Sequence, residues 1–457
     1  MSTADLSLRD RAALLHPTTH LGRHAAQGPL VIERGEGIHV WDSEGRQYIE
    51  GMAGLWCTAL GYGVPELADV AAEQIRKLSY SHLFSSKSHE PAILLAEKLK
   101  ELAPFSAGKV FFGHSGSDAN DTQIKLIWYY NNLIGRPEKK KIISRDRAYH
   151  GVTLGAATLT GLAVNHRGFD LPLDYVRRVR CPHFYREGLP GETEQEFSTR
   201  LANELEELIA REGADTIAAF IAEPVMGAGG VVVPPAGYFE KIQAVLKRHD
   251  ILLIDDEVIC GFGRTGQWFG SQALGMQPDT MSVAKALSSG YQPIGAVLIP
   301  DWMYEVLEAG SKDMGVFGHG YTYSGHPVCA AVALKNLELL QQRRVVEHAA
   351  AVSDRFQSRL NAFAEHPLVG EARGVGLIGA LELVSDKASR AGFPATLGVA
   401  AYCQARAEAH GLIVRALGSD TIAFCPPLVV SDAEVDELFD RFGRALDDTT
   451  QWLKSQR

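Results

Sequence analysis

Residues 251–299 read ILLIDDEVICGFGRTGQWFGSQALGMQPDTMSVAKALSSGYQPIGAVLI, and the stretch begins and ends with an apolar run. These runs, residues 251–254 and 296–299, are short and rich in branched side chains, which is typical of strands buried inside a sheet. Three acidic residues, 255–257, follow the first run directly, and one lysine, Lys285, stands among small and apolar residues before the second. The stretch therefore predicts two buried strands with charged groups close to their ends.

The rest of the chain repeats this pattern of short apolar runs separated by helical stretches. Further strand-like runs lie at residues 109–112, 140–144 and 217–222. Residues 196–211 carry leucines at helical spacing, with Glu and Arg on the opposite face. Because strands that alternate with helices form parallel sheets covered by helices, the pattern predicts an α/β fold with a mainly parallel sheet.

A change of pattern near residue 330 indicates a second, smaller domain. Beyond it, long helical patterns are followed by a few strand-like runs, which predicts an α+β domain over residues 330–457. Residues 1–60 contain two strand-like pieces, GIHVWD and RQYIEG, and we expect this segment to pack on the smaller domain. Residues 61–329 then form the large domain.

Composition and charge indicate the class of protein. The chain has 457 residues, of which 46% are hydrophobic and 22% are charged, and these shares are ordinary for a globular protein. A net charge of -10 argues against nucleic acid or an anionic membrane as the main partner. The six cysteines show no CxxC spacing, and the amino terminus shows no apolar core of signal-peptide length. We therefore expect reduced thiols, no metal site and a cytoplasmic protein.

Glycine and serine follow the run at residues 109–112 and precede a helical pattern. In open α/β sheets, ligands bind beyond the carboxyl ends of the strands, so the segment GHSGSDAND at residues 113–121 is a candidate site. Gly116 allows the backbone to approach a ligand, Ser117 offers an N–H group and a hydroxyl, and Asp118 is expected to cap the helix. Backbone donors at a helix start form an anion site, and phosphate is the expected anion, although a plain capped turn has the same pattern.

Three further segments carry groups that can do chemistry. Tyr149 and His150 follow the run at residues 140–144, where an aromatic ring can stack on a flat ligand or simply pack. The acidic residues 255–257 suit either a metal ion or one carboxylate that faces a protonated heterocyclic nitrogen. Lys285 is either a surface lysine or an amine in a dry pocket, where burial lowers its pKa and leaves a nucleophile. A phosphate anchor, an aromatic ring, an acid and a lysine are together the parts that hold pyridoxal phosphate.

The order of these motifs resembles that of the class III aminotransferases, a family of fold-type I pyridoxal-phosphate enzymes, and within it the omega-amine:pyruvate aminotransferases. The resemblance extends over nearly the whole chain and rests on the motifs SGSDAND, AYHG, EPVMGAGG, DDEVICGFGRTG, AKALSSGYQPIGAV, GLWC (54–57), HGYTYSGHP (319–327) and GLIVRALG (411–418). It departs at Asp118, where the family commonly has Glu. It implies a large domain like that of aspartate aminotransferase, with a mostly parallel seven-stranded sheet, and a smaller α+β domain.

The resemblance also implies roles for the residues of a cofactor site. Lys285 is implied to form a Schiff base with pyridoxal 5'-phosphate, and Asp256 to pair with its pyridine nitrogen. Tyr149 and Val258 are implied to press on the two faces of the ring. The implied cofactor site consists of Gly116, Ser117, Tyr149, His150, Glu223, Asp256, Val258, Lys285, Tyr321 and Thr322.

Two of these residues are implied to act across a subunit boundary. Tyr321 and Thr322 approach the phosphate from a neighbouring subunit in the family, so the resemblance implies a homodimer with shared active sites, or a tetramer. The residues implied to bind substrate are Leu55, Trp56, Phe84, Tyr149 and Arg415. The guanidinium of Arg415 is implied to pair with the carboxylate of a keto acid, a contact that suits its planar shape.

The implied reaction moves an amino group from an omega-amine, meaning a primary amine, a diamine or an omega-amino acid, to a keto acid. Pyruvate is the expected acceptor and alanine its product, by a ping-pong mechanism in which the cofactor passes through pyridoxamine 5'-phosphate. Two alternatives stay open: a decarboxylase or aminomutase on the same scaffold, and a non-catalytic phosphometabolite-binding protein that uses SGSDAND as its anion loop.

Overall fold

The computed structural model describes residues 3–456, which form three sheets and a set of surrounding helices. The strands, in chain order, are β1 (Ile32–Glu36), β2 (His39–Asp42), β3 (Gln47–Glu50), β4 (Ala107–Gly113), β5 (Lys141–Arg145), β6 (Val176–Val179), β7 (Ile217–Ala222), β8 (Leu252–Asp256), β9 (Thr280–Val283), β10 (Gly295–Pro300), β11 (Val369–Val375), β12 (Ile378–Leu383), β13 (Leu412–Ile413), β14 (Arg415–Leu417) and β15 (Thr421–Phe424). The helices are α1 (Thr3–Ala13), α2 (Leu21–Gln27), α3 (Ala53–Trp56), α4 (Pro65–Lys77), α5 (Glu90–Leu102), α6 (Gly116–Leu133), α7 (Leu154–Leu159), α8 (Phe184–Glu187), α9 (Glu194–Glu212), α10 (Tyr238–Arg248), α11 (Gly270–Leu274), α12 (Asp301–Met314), α13 (Pro327–Gln342), α14 (Val345–Ala362), α15 (Val399–Ala409) and α16 (Asp432–Ser455).

The largest sheet has seven strands in the order β4-β10-β9-β8-β7-β5-β6. Strand β10 is antiparallel to both of its neighbours, whereas β9, β8, β7, β5 and β6 pair in parallel. All residues of β7 and β10 are buried, as expected for strands covered on both faces. The prediction of an α/β fold with a mostly parallel seven-stranded sheet is confirmed.

Helix α9 shows why the predicted helix boundaries shift slightly. The leucines at helical spacing in residues 196–211 are buried, as their spacing predicts. The helix nevertheless begins at Glu194, because the Thr193 side chain accepts a hydrogen bond from the Glu196 N–H while the Glu196 carboxylate accepts one from the Thr193 N–H. This capping box adds the first turn that periodicity alone does not reveal.

Two four-stranded sheets lie outside the large one. One has the order β1-β2-β3-β13 and the other the order β11-β12-β15-β14. In the first, β13 pairs with β3 in parallel, with Leu412 opposite Ile49 and Ile413 opposite Glu50. This pairing joins strands from the amino-terminal part of the chain to one from its carboxyl-terminal part. The division of the chain at residues 60 and 330 stays a prediction.

The main hydrophobic core crosses from one sheet to the next. Buried residues of β3, β9 and β10 belong to the same cluster as buried residues of α13, α14 and α16. Within residues 3–456, no helix has both the length and the apolar character needed to cross a membrane.

Candidate active site

A cavity of about 410 Å³ lies where segments following four strands of the large sheet meet. It is lined by residues that come directly after β4, β5, β8 and β9, together with Glu223, which follows β7. Eight residues predicted for the cofactor site line it: Gly116, Ser117, Tyr149, His150, Glu223, Asp256, Val258 and Lys285. The strand-end positions read from the sequence therefore converge on one cavity.

The first residues of α6 form one wall of the cavity. A β-carbon added at Gly116 would lie 2.7 Å from Val258 Cγ1, so only glycine fits against that valine. The Ser117 hydroxyl accepts a hydrogen bond from the Val152 N–H at 3.1 Å, which joins the start of α6 to the segment after β5. The free N–H groups at the start of this long helix offer the anion site that the sequence predicts.

The expectation that Asp118 caps α6 is wrong in position. Ser115 is the N-cap residue, and its hydroxyl accepts a hydrogen bond from the Asp118 N–H at 3.3 Å. The Asp118 carboxylate accepts in return from the Ser115 N–H at 2.9 Å and from the His114 N–H at 2.7 Å. Asp118 therefore completes a capping box from inside the first turn, a role that its short side chain fulfils in place of Glu.

Asp256, the last residue of β8, is held by three hydrogen bonds. Its Oδ2 accepts from Asn120 Nδ2 and pairs with His150 Nδ1, both at 2.7 Å, and its Oδ1 accepts from the Val258 N–H at 3.1 Å. Because the side chain is only 3% exposed, these contacts fix the orientation of the carboxylate and offset its loss of water. Asn120 was missed by sequence reasoning, although it lies in the SGSDAND motif one helical turn after Gly116.

The two acidic neighbours of Asp256 do not share its surroundings. Side chains alternate in direction along a strand, and Glu257 accepts hydrogen bonds from the Gly270 N–H and from Ser271, away from the cavity. Burial and the nearby charge of Glu257 raise the pKa of Asp255 well above its usual value. The triplet therefore does not converge as metal ligands would, which leaves a single carboxylate facing the cavity.

Lys285 begins a single turn of 3₁₀-helix after β9 and faces the cavity. Burial lowers the pKa of its ammonium group, while Cys57, Asp256 and Glu223 act in the opposite direction. Its Nζ makes no hydrogen bond to any of residues 3–456, and its backbone has a positive φ of 48°. A non-glycine residue held in this conformation is typical of functional sites. Lys285 is an amine in a cavity rather than a surface lysine.

Glu223 connects the segment after β7 to the segment that carries Tyr149. Its Oε1 accepts a hydrogen bond from the Tyr149 N–H at 3.0 Å, and its Oε2 accepts one from the Gly227 N–H at 2.9 Å. Burial raises the pKa of this carboxyl group. Both oxygens bind backbone rather than point at a ligand, so the geometry makes Glu223 a support for Tyr149.

Arg415 lies close enough to this site to affect its charges. It is the first residue of β14, and its positive charge opposes the rise that burial causes in the pKa of Tyr149. The guanidinium makes no hydrogen bond or ion pair with any of the residues 3–456. It is therefore available to an anionic ligand.

The other predicted residues do not line the cavity within one chain. Trp56 is buried, whereas Leu55 is 53% exposed. Phe84 lines a second cavity of about 600 Å³ together with residues 316–320. Tyr321 and Thr322 contact their own chain: the Tyr321 hydroxyl donates to the Asp118 carbonyl at 3.2 Å, and the Thr322 carbonyl accepts from the Tyr80 hydroxyl at 2.8 Å.

Glu50, the last residue of β3, supports the turn that leads to the cavity and was not predicted. Its carboxylate accepts hydrogen bonds from the Met52 N–H at 3.0 Å and from the Tyr62 hydroxyl at 3.3 Å. The backbone that follows has positive φ angles at Ala53, Gly54 and Trp56, a strained path that needs such support. Burial raises the pKa of Glu50 to about 7. Its position at the end of the strand-like piece RQYIEG is the signal that was overlooked.

Comparison with known proteins assigns the family. The family model for aminotransferase class-III matches residues 21–446. The chain belongs to the class III aminotransferases. This match, with transaminases among the relatives, supports transamination rather than a decarboxylase, an aminomutase or a non-catalytic binding protein.

Relatives of this class III aminotransferase include solved structures and curated proteins. The omega transaminase from Pseudomonas jessenii in complex with PMP is 55% identical, with a TM-score of 0.96, and the match covers 98% of each chain. A structure described as a transaminase with L-Ala is 55% identical, with a TM-score of 0.91, over 93% of this chain and 100% of the other. The gamma aminobutyrate transaminase 3 of Solanum lycopersicum, a chloroplastic protein, is 52% identical over 435 residues, which cover 94% of this chain and 83% of the relative.

Class III aminotransferases use pyridoxal 5'-phosphate, and the cavity fits this cofactor. The absence of space for a side chain at Gly116 brings backbone N–H groups to the place where a phosphate needs them. Asp256 supplies a fixed carboxylate and Lys285 an amine without a hydrogen-bond partner among residues 3–456. These groups would suit the cofactor's phosphate, ring nitrogen and aldehyde in turn.

Gly116→Ala is expected to weaken cofactor binding, because the new methyl group overlaps Val258. Overpacking costs about 1 to 3 kcal/mol, so the Kd for pyridoxal phosphate should rise roughly ten- to hundredfold. Titration of the apoprotein with pyridoxal phosphate, followed by absorbance, measures the change. The double variant Gly116→Ala/Val258→Ala should recover most of the affinity relative to Val258→Ala alone; a Gly116→Ala protein that binds like the wild type contradicts the steric argument.

Glu50→Gln should change how stability depends on pH. The pKa of Glu50 is about 7 in the folded protein, against 4.5 for an unperturbed glutamate. Between these two values the unfolded chain loses the proton while the folded protein keeps it, which favours the unfolded chain. The free energy of unfolding of the wild type should therefore fall relative to Glu50→Gln by about 3 kcal/mol between pH 4.5 and pH 7, and stay level above. Denaturant unfolding across this range measures the difference. Glu73→Gln, at an exposed position on α4, is the control and should show no such trend.

Proposed function

We propose that this transaminase transfers the amino group of an omega-amine to pyruvate, giving alanine, in two half-reactions at one site. The observation that supports the proposal best is a pair of basic groups without a hydrogen-bond partner among residues 3–456: Lys285 Nζ inside the cavity and the Arg415 guanidinium near Tyr149. One is an amine able to carry a proton, and the other is a guanidinium able to hold a carboxylate. An enzyme that accepts an amine in one half-reaction and a keto acid in the other needs both.

The residues that line the cavity have different roles in the reaction. When bound, pyridoxal phosphate accepts the electrons left on the substrate carbon after that carbon loses a proton. Asp256, fixed by its three hydrogen bonds, would hold the ring nitrogen of the cofactor. Lys285 would hold the cofactor's aldehyde and, as a free amine, would carry the proton on Nζ, a role favoured by its lowered pKa. Glu223 keeps the backbone of Tyr149 in place beside them.

The positive charge of Arg415 beside the cavity supports a keto acid as one of the two substrates. A keto acid places its carboxylate on the free guanidinium of Arg415, which binds a planar anion through two hydrogen bonds. An amine without a carboxylate leaves Arg415 unused and is held by apolar contacts alone. The structure described as a transaminase with L-Ala supports alanine as the product, since alanine is pyruvate with the amino group added. Relatives named as gamma-aminobutyrate transaminases support omega-amino acids among the donors.

We further propose that the active site is completed by a second copy of this chain. Apolar side chains next to the cavity and around the second cavity are strongly exposed, with Val152 60%, Leu154 69% and Val316 90% accessible. Exposed apolar side chains near both cavities support a protein interface there. In a homodimer, Tyr321 and Thr322 of one subunit reach the phosphate end of the cavity in the other.

The two half-reactions can be followed separately by the absorbance of the cofactor. Holoenzyme mixed with an amine such as putrescine should lose its yellow colour, and pyruvate should restore it while alanine forms. Lys285→Ala should slow the first step roughly 10³-fold or more, because the proton carrier is gone. Lys312→Ala, at an exposed position on α12, is the control and should react like the wild type. Normal turnover by Lys285→Ala contradicts the assignment.

Arg415 variants separate the two substrates in the same experiment. Arg415→Ala should slow the recovery of colour with pyruvate roughly ten- to hundredfold, because a charge-assisted contact is lost. Its first half-reaction with an amine that lacks a carboxylate should be unchanged. Arg415→Lys keeps the positive charge but loses the planar guanidinium, so its rate of colour recovery with pyruvate should lie between those of the wild type and Arg415→Ala. Equal effects on both half-reactions contradict a role in keto-acid binding.

Mixed dimers test whether the active site is shared. Chains carrying Lys285→Ala and chains carrying Thr322→Glu should each be inactive alone, the second because a negative charge faces the phosphate. When the two are co-expressed, a mixed dimer contains one intact site, so activity should return. Light scattering should give at least twice the 49.7 kDa mass of one chain. A mass of one chain, or no recovery in the mixture, contradicts the shared site.

A further inference from the structure

The first two helices pack together without a hydrophobic core. No residue of α1 or α2 is buried, and the apolar side chains of α1 are not gathered on one face. Short helices are marginally stable on their own and usually depend on an apolar face for packing. Something other than apolar contact must therefore hold this pair of helices.

Polar groups meet where the two helices approach each other. Asp10 lies on α1, His16 in the connection and His24 on α2. His16 Nε2 lies 2.9 Å from Asp10 Oδ2, and His24 Nε2 lies 3.0 Å from Asp10 Oδ1. The two imidazole rings face each other with their centroids 4.1 Å apart. Nearby, Arg11 donates to the Ala25 carbonyl at 3.1 Å, a second polar link between the helices.

The atoms of this cluster suit a metal ion better than hydrogen bonds alone. One nitrogen from each histidine and a carboxylate oxygen all lie within 4.8 Å of one another. The Nε2 atom of the half-buried His24 is closed off from solvent and makes no well-aligned hydrogen bond with any of residues 3–456, despite its short distance to Asp10. Two imidazole nitrogens and one carboxylate are a common ligand set for Zn²⁺, with the fourth position left to water.

A second cluster of histidine and carboxylate side chains differs because a guanidinium already occupies the position that a metal ion would take. His183, Glu371 and Glu382 also bring their atoms within ligand distance of one another. There, however, Arg373 Nη1 lies 2.5 Å from Glu371 and 2.6 Å from Glu382, so a guanidinium already neutralises both carboxylates. At Asp10 the carboxylate is paired with the two histidines.

We propose that Asp10, His16 and His24 bind one divalent transition-metal ion of the zinc class, which fastens α1 to α2. The ion replaces the polar contacts of Asp10 with the two histidines by coordinate bonds and supplies the stabilisation that an absent core does not. The expectation of no metal site came from cysteine spacing and from the acidic triplet, and neither concerns histidine ligands in the first 24 residues. The proposal is independent of the transamination chemistry.

Titration of the untagged, metal-free holoenzyme with Co²⁺ and Zn²⁺ tests the proposal. The wild type should bind one ion per chain, with visible absorption from tetrahedral Co²⁺ that Zn²⁺ displaces. His16→Gln and His24→Gln should each weaken binding roughly hundredfold or more, because each removes a ligand. His20→Asn is the matched control: it removes an imidazole between the two ligands while keeping a side chain that caps α2, and its affinity should equal that of the wild type.

Hydrogen exchange gives a second measurement that does not depend on affinity. Zn²⁺ should slow exchange in residues 3–27 of the wild type and of His20→Asn, but not of His24→Gln, while the rate of transamination stays unchanged in all three. Binding that is equal in His20→Asn and His24→Gln places the ion elsewhere and overturns the proposal. Absence of binding by the wild type also overturns it and leaves an ion-paired cluster only.

Discussion

The buried carboxylate of Asp256 is the constraint on which the active site depends. A carboxylate that is 3% exposed is stable only when donors replace its lost water, and here the donors come from three segments of the chain. Asn120 belongs to α6, His150 to the segment after β5, and the Val258 N–H to the segment after β8. The start of α6, the segment that carries Tyr149 and the end of β8 are therefore held together by one carboxylate.

The charges around the cavity are arranged by the direction in which each side chain leaves its strand. Asp256 points inward, whereas Asp255 and Glu257 are buried on the other side with raised pKa values. Of these three acids, Asp256 is the one that faces the cavity and acts against the lowering of the Lys285 pKa. Glu223 and Glu50 accept hydrogen bonds from backbone N–H groups, and these bonds hold neighbouring segments in place. Carboxyl groups with similar burial thus serve different purposes because their donors differ.

Much of this site follows from the sequence, because the rule that ligands bind beyond strand ends locates Gly116, Tyr149 and Asp256 without knowledge of their contacts. Lys285 was singled out by its small and apolar neighbours and by the family resemblance, since the strand before it, β9, was not predicted. Asn120 was not predicted as a site residue because it lies inside a helical pattern, and only the packing of α6 on the sheet turns it towards Asp256. Glu50 was not predicted because its strand belongs to another sheet. The fourth strand of that sheet, β13, is far away in the sequence. Asp10, His16 and His24 have no familiar metal-ligand spacing, so only the folded helix pair brings them together.

The pairing of β3 with β13 has a consequence for the order in which the protein can be made. Residues 47–50 leave the ribosome several hundred residues before their partner strand at residues 412–413. Contacts between such distant segments form slowly, and unpaired strand edges invite association with other chains. The strained turn after Glu50, which leads to Cys57 in the cavity wall, therefore lacks one side of its support until residues 412–413 have been made. Catalytic competence has to wait for this pairing, and until then β3 exposes an edge that a chaperone can shield.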